Sequence, residues 1–286
     1  MATPNGLNNT GNTCYLNSGT QMLLQNIDFC DEIITNRSIN SNIEELAKFI
    51  ESYYKFPPSN NYSVTPSIVK KIVGSKHNRF RGNQQQDAQD LINSLMDILN
   101  DYTSNKFSYL FRIESQQTLK CKLRTCLTKS VTKEINDFLI LPISVNSTLD
   151  DCYREYKNHE KLEGENKYFC NNCKELRIAS RRLEVVNWPK HLIIFLKRFN
   201  NNGERLTKNS SPIDIPINWR HGYTLKGCII HTGNINGGHY FYISRVVKKD
   251  GSIHWYNCND SSVTEINQSS AEMYMNKNGY IIYYAM

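Results

Sequence analysis

The spacing of apolar residues changes once along this chain, and that change limits the fold more than any other feature. Up to about residue 110 the spacing is helical. In 84–102, QQQDAQDLINSLMDILNDY, the residues Ala88, Leu91, Leu95, Ile98, Leu99 and Tyr102 fall on one stripe. Residues 43–54 place Ile43, Leu46, Ala47, Ile50 and Tyr54 on one face of a second helix. Thr65-Pro66 reads as a cap followed by a first-turn proline, opening a third helix that Gly74 ends. Leu16, Met22, Leu23 and Asn26 suit a short helix starting near Cys14, although Gly19 and Thr20 make it marginal by propensity. FPPSNN at 56–61 breaks the helical part. After about residue 110 come short alternating segments with four cysteines in two pairs, reaching to about Arg182. Beyond them, 192–199, 223–231, 239–247, 252–258 and 280–284 read as strands separated by Gly- and Asn-rich turns. Helices first and strands later give an α+β chain, with a cysteine-bearing insertion between the two.

A chain of 286 residues builds a sizeable core without disulfides, as one large domain or two. With 39% apolar and 21% charged residues it is neither disordered nor collagen-like. No apolar run approaches the ~20 residues of a membrane helix, and MATPNGLNN lacks the regions of a secretory leader. The net charge of +7 is scattered and forms no basic run, so neither nucleic acid nor membrane is expected as a partner. Nine cysteines without a leader point to a reducing, intracellular compartment, cytoplasm or nucleus, with metal or catalytic roles for some thiols.

Cys14 follows GNT at a helix start, where backbone N–H groups and the dipole favour a thiolate. Far downstream, Gly237 and Gly238 allow close backbone approach beside His239, which opens a strand as a fixed base should. Asn259 and Asp260, after the strand 252–258, are the nearest polar pair able to orient an imidazole through its other nitrogen. Spacing alone does not connect these positions.

A family resemblance does. GLNNTGNTCYLNS at 6–18 resembles the cysteine box of the ubiquitin-specific proteases, papain-like deubiquitinating enzymes. GYTLKGCIIHTGNINGGHYFYISR at 222–245 with WYNCNDSSV at 255–263 resembles their histidine box, and QQDAQDLINSLMDIL and LIIFLKRF are also typical. The four blocks occur in the family's order. The resemblance implies one catalytic domain over 1–286 in the papain-like fold, with a helical thumb near 1–110, β fingers near 111–185 and a β-rich palm near 186–286. It implies hydrolysis of the isopeptide or peptide bond after ubiquitin's C-terminal glycine. Cys14 would be nucleophile, His239 general base, Asn259 the orienting residue and Asn9 an oxyanion donor beside the Cys14 backbone N–H. Asp260 would assist by orienting water or Asn9. A protease for another Gly-Gly-ended modifier and an inactive ubiquitin-binding scaffold are the competing readings.

The same resemblance assigns the remaining sites. Cys170 and Cys173 form a CxxC, a common zinc spacing. Cys121 and Cys126 would complete a structural zinc site at the fingers, although Cys121 lies two residues from the family's position. Cys30, Cys152, Cys228 and Cys258 sit in apolar contexts and read as core. Asp87 and Asp90 match the acids that hold ubiquitin's basic tail, with Asp90 where Glu is usual, and Gln85 is placed to bond the tail backbone. Gly237, Gly238 and Tyr240 would form a tunnel too narrow for larger side chains. Ubiquitin or ubiquitinated proteins are the expected partners, with target choice left to surface loops or an activating or targeting protein.

Overall fold

Helix α1 (Cys14–Leu24) is buried at every position in the computed structural model, which describes residues 3–55, 62–104, 107–126, 128–145, 147–201, 206–234 and 237–286. Tertiary packing on all sides supplies what propensity lacks. At Gly19 an added Cβ would lie 2.9 Å from Leu91 Cδ2, so the glycine marks close helix packing instead of weakness. Asn26 does not belong to this helix. It caps α2 (Ile27–Thr35), a helix the periodicity did not reveal, by accepting from Phe29 N at 3.1 Å.

Helix α3 (Ser41–Lys55) buries Ile43, Leu46, Ala47 and Ile50 as expected, but Tyr53 in place of Tyr54. Tyr54 is 38% exposed. Tyr53 OH donates to Gln21 Oε1 at 2.7 Å and accepts from Asn5 N at 3.0 Å, which fixes the inward choice. Helix α4 (Ser67–Lys76) starts after Pro66, its N-cap, and runs through Gly74 to Lys76. Gly74 therefore does not end it; its carbonyl accepts from Arg81 Nε at 2.6 Å. The break expected at 56–61 lies outside the described residues. Helix α5 (Ala88–Thr103) begins later than its sequence stripe suggested because Asp87 is the N-cap.

The insertion is a four-stranded antiparallel sheet in the order Lys129–Asn136, Ile113–Cys121, Ala179–Asn187, Glu160–Leu162. A two-stranded hairpin, Tyr168–Cys170 with Glu175–Arg177, stands at its far end. The last part of the chain supplies most of a seven-stranded sheet. Its order is Ser262–Ile266, Ile253–Asn259, Gly237–Val247, Thr224–Asn234, Gly279–Ala285, His191–Leu196, Leu139–Leu141, antiparallel except for the last pair.

Both faces of this sheet are covered. Tyr240, Tyr242 and Val246 pack into the core formed with α1–α5, whereas Phe241 and Ile243 pack into a second core that includes Leu149, Ala271 and Met275. The period-two alternation thus divides one strand between two cores. Leu149 and the pair Ala271 and Met275 come from helices Leu149–Tyr156 and Gln268–Asn278, neither of which the sequence pattern had announced.

One close approach locks the chain start onto this sheet. Gly6–Leu7 pairs with Ser63–Val64, and Leu7 N donates to Asp260 O at 2.8 Å. A Cβ on Gly6 would fall 2.2 Å from Ser261 O, so only glycine fits there. The loop before α1 is thereby pressed against the turn after Ile253–Asn259.

Candidate active site

The loop from Asn9 to Thr13 is folded around one side-chain carbonyl. Asn9 Oδ1 accepts from Gly11 N at 2.9 Å, Thr13 N at 3.1 Å and Thr13 Oγ1 at 3.1 Å. Gly11 and Asn12 adopt φ of 109° and 53°, left-handed values suited to glycine and asparagine. This turn delivers Cys14 as the first residue of α1, with its backbone N–H unsatisfied by the helix.

Cys14 meets His239 and Gln85 across the cleft. Burial raises the thiol's pKa, but bonds from His239, the Tyr240 backbone and Gln85 outweigh it, so the thiol lies below its ordinary value. Gln85 Nε2 stands 3.7 Å from Cys14 Sγ and also donates to Gly238 O. The bond to Cys14 lifts His239, burial pulls it back and Asn259 lifts it again, to about 9. A lowered thiol beside a raised imidazole is the electrostatic condition for a thiolate–imidazolium pair. His239 Nε2 lies 2.6 Å from Asn259 Oδ1, so it carries a proton toward that oxygen and leaves Nδ1 for the sulfur.

Asp260 reaches back to the cysteine side. In the tight turn between Ile253–Asn259 and Ser262–Ile266 it has a φ of 52°. Its Oδ2 accepts from Asn9 Nδ2 at 2.9 Å and its Oδ1 from Asn17 Nδ2 at 2.7 Å. Asn17 was missed in the sequence. Only its place one turn after Cys14 could have drawn notice in the sequence; that the amide is buried, and so needs a partner, appears only in the fold.

The acids on α5 are not equivalent. Asp87 caps the helix, accepting from Gln89 N at 2.7 Å and more weakly from Asp90 N, and it also accepts from Tyr240 OH at 2.9 Å and Tyr280 OH at 3.0 Å. Burial nevertheless leaves its carboxyl above the usual value, against the pull of those bonds. Asp90 is half exposed and paired with Arg79 at 2.7 Å. Gln85, Asp87, Asp90, Gly237, Gly238, Tyr240 and Tyr280 line one cleft of ≈ 570 Å³. Tyr280 is another residue that the sequence pattern marked only as part of a strand. A Cβ on Gly238 would fall 2.2 Å from His231 Nε2, whereas one on Gly237 meets nothing within 4 Å. Gly238 is required by the fold, and Gly237 leaves the cleft open.

A family model described as ubiquitin carboxyl-terminal hydrolase matches residues 5–284. The chain belongs to that family. It is 27% identical over 340 residues to ubiquitin carboxyl-terminal hydrolase 2 of Homo sapiens, covering 98% of this chain and 55% of that protein. It is 24% identical over 368 residues to ubiquitin carboxyl-terminal hydrolase 4 of Eremothecium gossypii, covering 98% and 42% respectively. The chain thus spans about half the length of these relatives. A solved structure of the SAGA Ubp8/Sgf11/Sus1/Sgf73 DUB module bound to ubiquitin aldehyde superposes with a TM-score of 0.79 at 21% identity, over 98% of this chain and 69% of that one. The likeness extends through helices, insertion and sheet, and the fold is the α+β papain-like fold of this hydrolase family.

Away from the cleft, Cys121, Cys126, Cys170 and Cys173 bring their sulfurs within 4.8 Å of one another. Tetrahedral zinc with Zn–S near 2.3 Å requires sulfur–sulfur separations of about 3.8 Å, and Cys126 Sγ and Cys170 Sγ are 3.7 Å apart. The two-residue displacement of Cys121 is absorbed by the turn to Cys126, and the donor set fits zinc. Cys30, Cys152, Cys228 and Cys258 are buried and free. Among the described residues no helix is long and apolar enough to cross a membrane.

Proposed function

We propose that this chain is a deubiquitinating thiol hydrolase that cleaves the bond after ubiquitin's C-terminal glycine. The observation that carries the reading is the meeting of Cys14, from the start of the chain, with His239 and Asn259 on two paired strands near its end, with the thiol lowered and the imidazole raised. The thiolate of Cys14 attacks the glycine carbonyl carbon. His239 gives its proton to the departing amine as the C–N bond breaks, leaving an acyl-enzyme thioester. A water then loses its proton to His239 and attacks the thioester, and the thiolate departs to regenerate the pair. Asn259 holds the ring so that Nδ1 serves both steps.

Charge on the former carbonyl oxygen would be met by the Cys14 backbone N–H and the second amide proton of Asn9. Asp260 takes the first amide proton of Asn9 and so aims the other, which supports orientation of Asn9 as its task over orientation of water. Asn17 shares that carboxylate and ties the nucleophile's helix to the strand end bearing Asn259. Gln85, bonded beside Cys14, lies within reach of the terminal glycine of a bound tail. Gly237, Gly238 and Tyr240 form the opposite wall.

The thumb, fingers and palm of 1–110, 111–185 and 186–286 are the natural division for this reading. Cys121, Cys126, Cys170 and Cys173 would hold one zinc ion, a structural one because four protein ligands leave no open position. The neighbouring SAGA module contains several proteins and bound ubiquitin aldehyde, which supports ubiquitin as substrate and an activating or targeting protein as partner, inside the cell in cytoplasm or nucleus.

A second reading, a protease for another Gly-Gly-ended modifier, is favoured by one observation. Asp87 is occupied with its cap and two tyrosines, and Asp90 with Arg79, so recognition of a basic tail requires exchange of the Arg79 partner. Comparing kcat/KM for fluorogenic ubiquitin with that for fluorogenic Gly-Gly-ended modifiers lacking a basic tail separates the two. Faster turnover of ubiquitin supports the first reading, and its reversal the second.

A further inference from the structure

The hairpin Tyr168–Cys170 and Glu175–Arg177 has two unlike faces. Inward, Cys170 is buried and Tyr168 packs on the cysteine cluster with Cys173. Those side chains fill the inner face, so the alternating positions are turned outward. There Phe169 pairs directly with Leu176, and they are 52% and 60% exposed. Ile178, 38% exposed, continues the same strand face, and its carbonyl accepts from Lys122 N at 2.9 Å. That bond brings Leu123, 37% exposed, to the same edge. Phe169 and Leu176 therefore form an exposed apolar pair at the end of the insertion, with Ile178 and Leu123 exposed on the two adjoining segments that this bond joins, and none of the four lines the cleft.

The unpaired charges in these segments are mostly basic. Lys122, Arg124, Lys167 and Lys174 are exposed, and among the described residues none has a side-chain hydrogen bond or ion pair. Of the acids in the hairpin segment, Glu175 is paired with Arg177 and Glu163 with Lys161, leaving Glu165 alone. An excess of unpaired basic side chains on the segments that carry an exposed apolar pair is complementary to an acidic segment that also carries apolar side chains. Nucleic acid fits less well, because three of the four central residues are aliphatic and offer no stacking surface. We propose that this outer face docks an acidic, apolar-bearing segment of a partner protein, separately from the substrate cleft.

The test uses the full chain, purified without chelator, and a labelled peptide of repeated Asp-Leu-Glu-Phe units as probe. Fluorescence anisotropy should show saturable binding that weakens at least about tenfold, ~1.4 kcal/mol, in both Phe169→Ser/Leu176→Ser and Lys167→Glu/Lys174→Glu. A poly-aspartate of equal length should bind more weakly than the probe, and fluorogenic-ubiquitin hydrolysis should be unchanged in both variants, which also reports that they fold. Unsaturable binding, equal binding by either variant, or tighter binding of a single-stranded oligonucleotide overturns the proposal. A raised KM for ubiquitin in the variants would also overturn it, by assigning the face to the substrate.

Discussion

The Asn17 side-chain amide donates to Asp260 Oδ1 at 2.7 Å, joining the helix that carries Cys14 to the residue that follows Asn259. Asp260 Oδ2 takes Asn9 at the same time. One carboxylate thus sets the spacing between the cysteine loop and the strand end that orients His239.

Asn17→Ala should consequently lower kcat about 10- to 100-fold with little change in KM, since a misplacement near 1 Å costs catalysis on that scale. Asp260→Ala should cost at least as much, because it frees both amides. Steady-state kinetics with fluorogenic ubiquitin check both, alongside a thermal melt, because partial unfolding would also lower apparent kcat with KM unchanged; a loss of kcat in a variant that melts as the parent does supports the positioning role.

The pH dependence follows from the shifted pair. The thiol lies below its ordinary value, and His239 loses its proton near pH 9. The ion pair exists between those limits, so kcat/KM should rise as Cys14 ionises below the ordinary thiol range and fall as pH passes about 9. Asn259 helps to raise His239. Asn259→Ala should therefore move the falling limb to lower pH as well as reduce kcat, and a pH–rate profile of both proteins reads this out.

Asp87 and Asp90 should separate on mutation. Asp87→Ala removes an N-cap and the acceptor for two tyrosine hydroxyls, and it should cost about 1–2 kcal/mol of stability, the range for a lost cap. Asp90 is half exposed, so Asp90→Asn should leave thermal stability within about 0.5 kcal/mol, as for surface changes. If Asp90 receives the substrate's basic tail, the same variant lowers kcat/KM for ubiquitin, most at low salt. Thermal melts and kinetics on the two variants make the distinction.

Elemental analysis should find about one zinc per chain, the stoichiometry of a four-thiolate site. Cys173→Ser should lower both the metal content and the melting temperature, and a metal-free chain of unchanged stability would show that the cluster is only a thiol core.

Strongly patterned elements were legible in the sequence: α5 in its stripe, and 239–247, 280–284 and most of 192–199 in their apolar runs, although the last strand ends at Leu196 and Phe199 opens another. The helix at Cys14 was legible only as marginal, because its stability comes from neighbours on every side. Tyr53 and Tyr54 could not be ranked by periodicity, since adjacent positions near the stripe edge are decided by hydrogen bonds to Asn5 and Gln21. Helix α2 was hidden because its apolar face is short and its cap, Asn26, looked like the end of α1. At the site, the positions of Cys14, His239 and Asn259 were readable from motif order. The bridging by Asp260 and the occupation of Asp87 by two tyrosines depend on contacts more than 150 residues apart and have no local sequence signature, whereas Arg79, the partner of Asp90, lies only 11 residues away.

The most direct test of the account is reaction of the full chain with ubiquitin bearing a cysteine-reactive electrophile at its C-terminus, followed by mass-spectrometric mapping. The account predicts a single covalent adduct on Cys14, lost in Cys14→Ser and strongly slowed in His239→Ala, with Cys228 and Cys258 unmodified. An adduct on any other cysteine, or no adduct from a folded chain that hydrolyses another Gly-Gly-ended modifier, would contradict it.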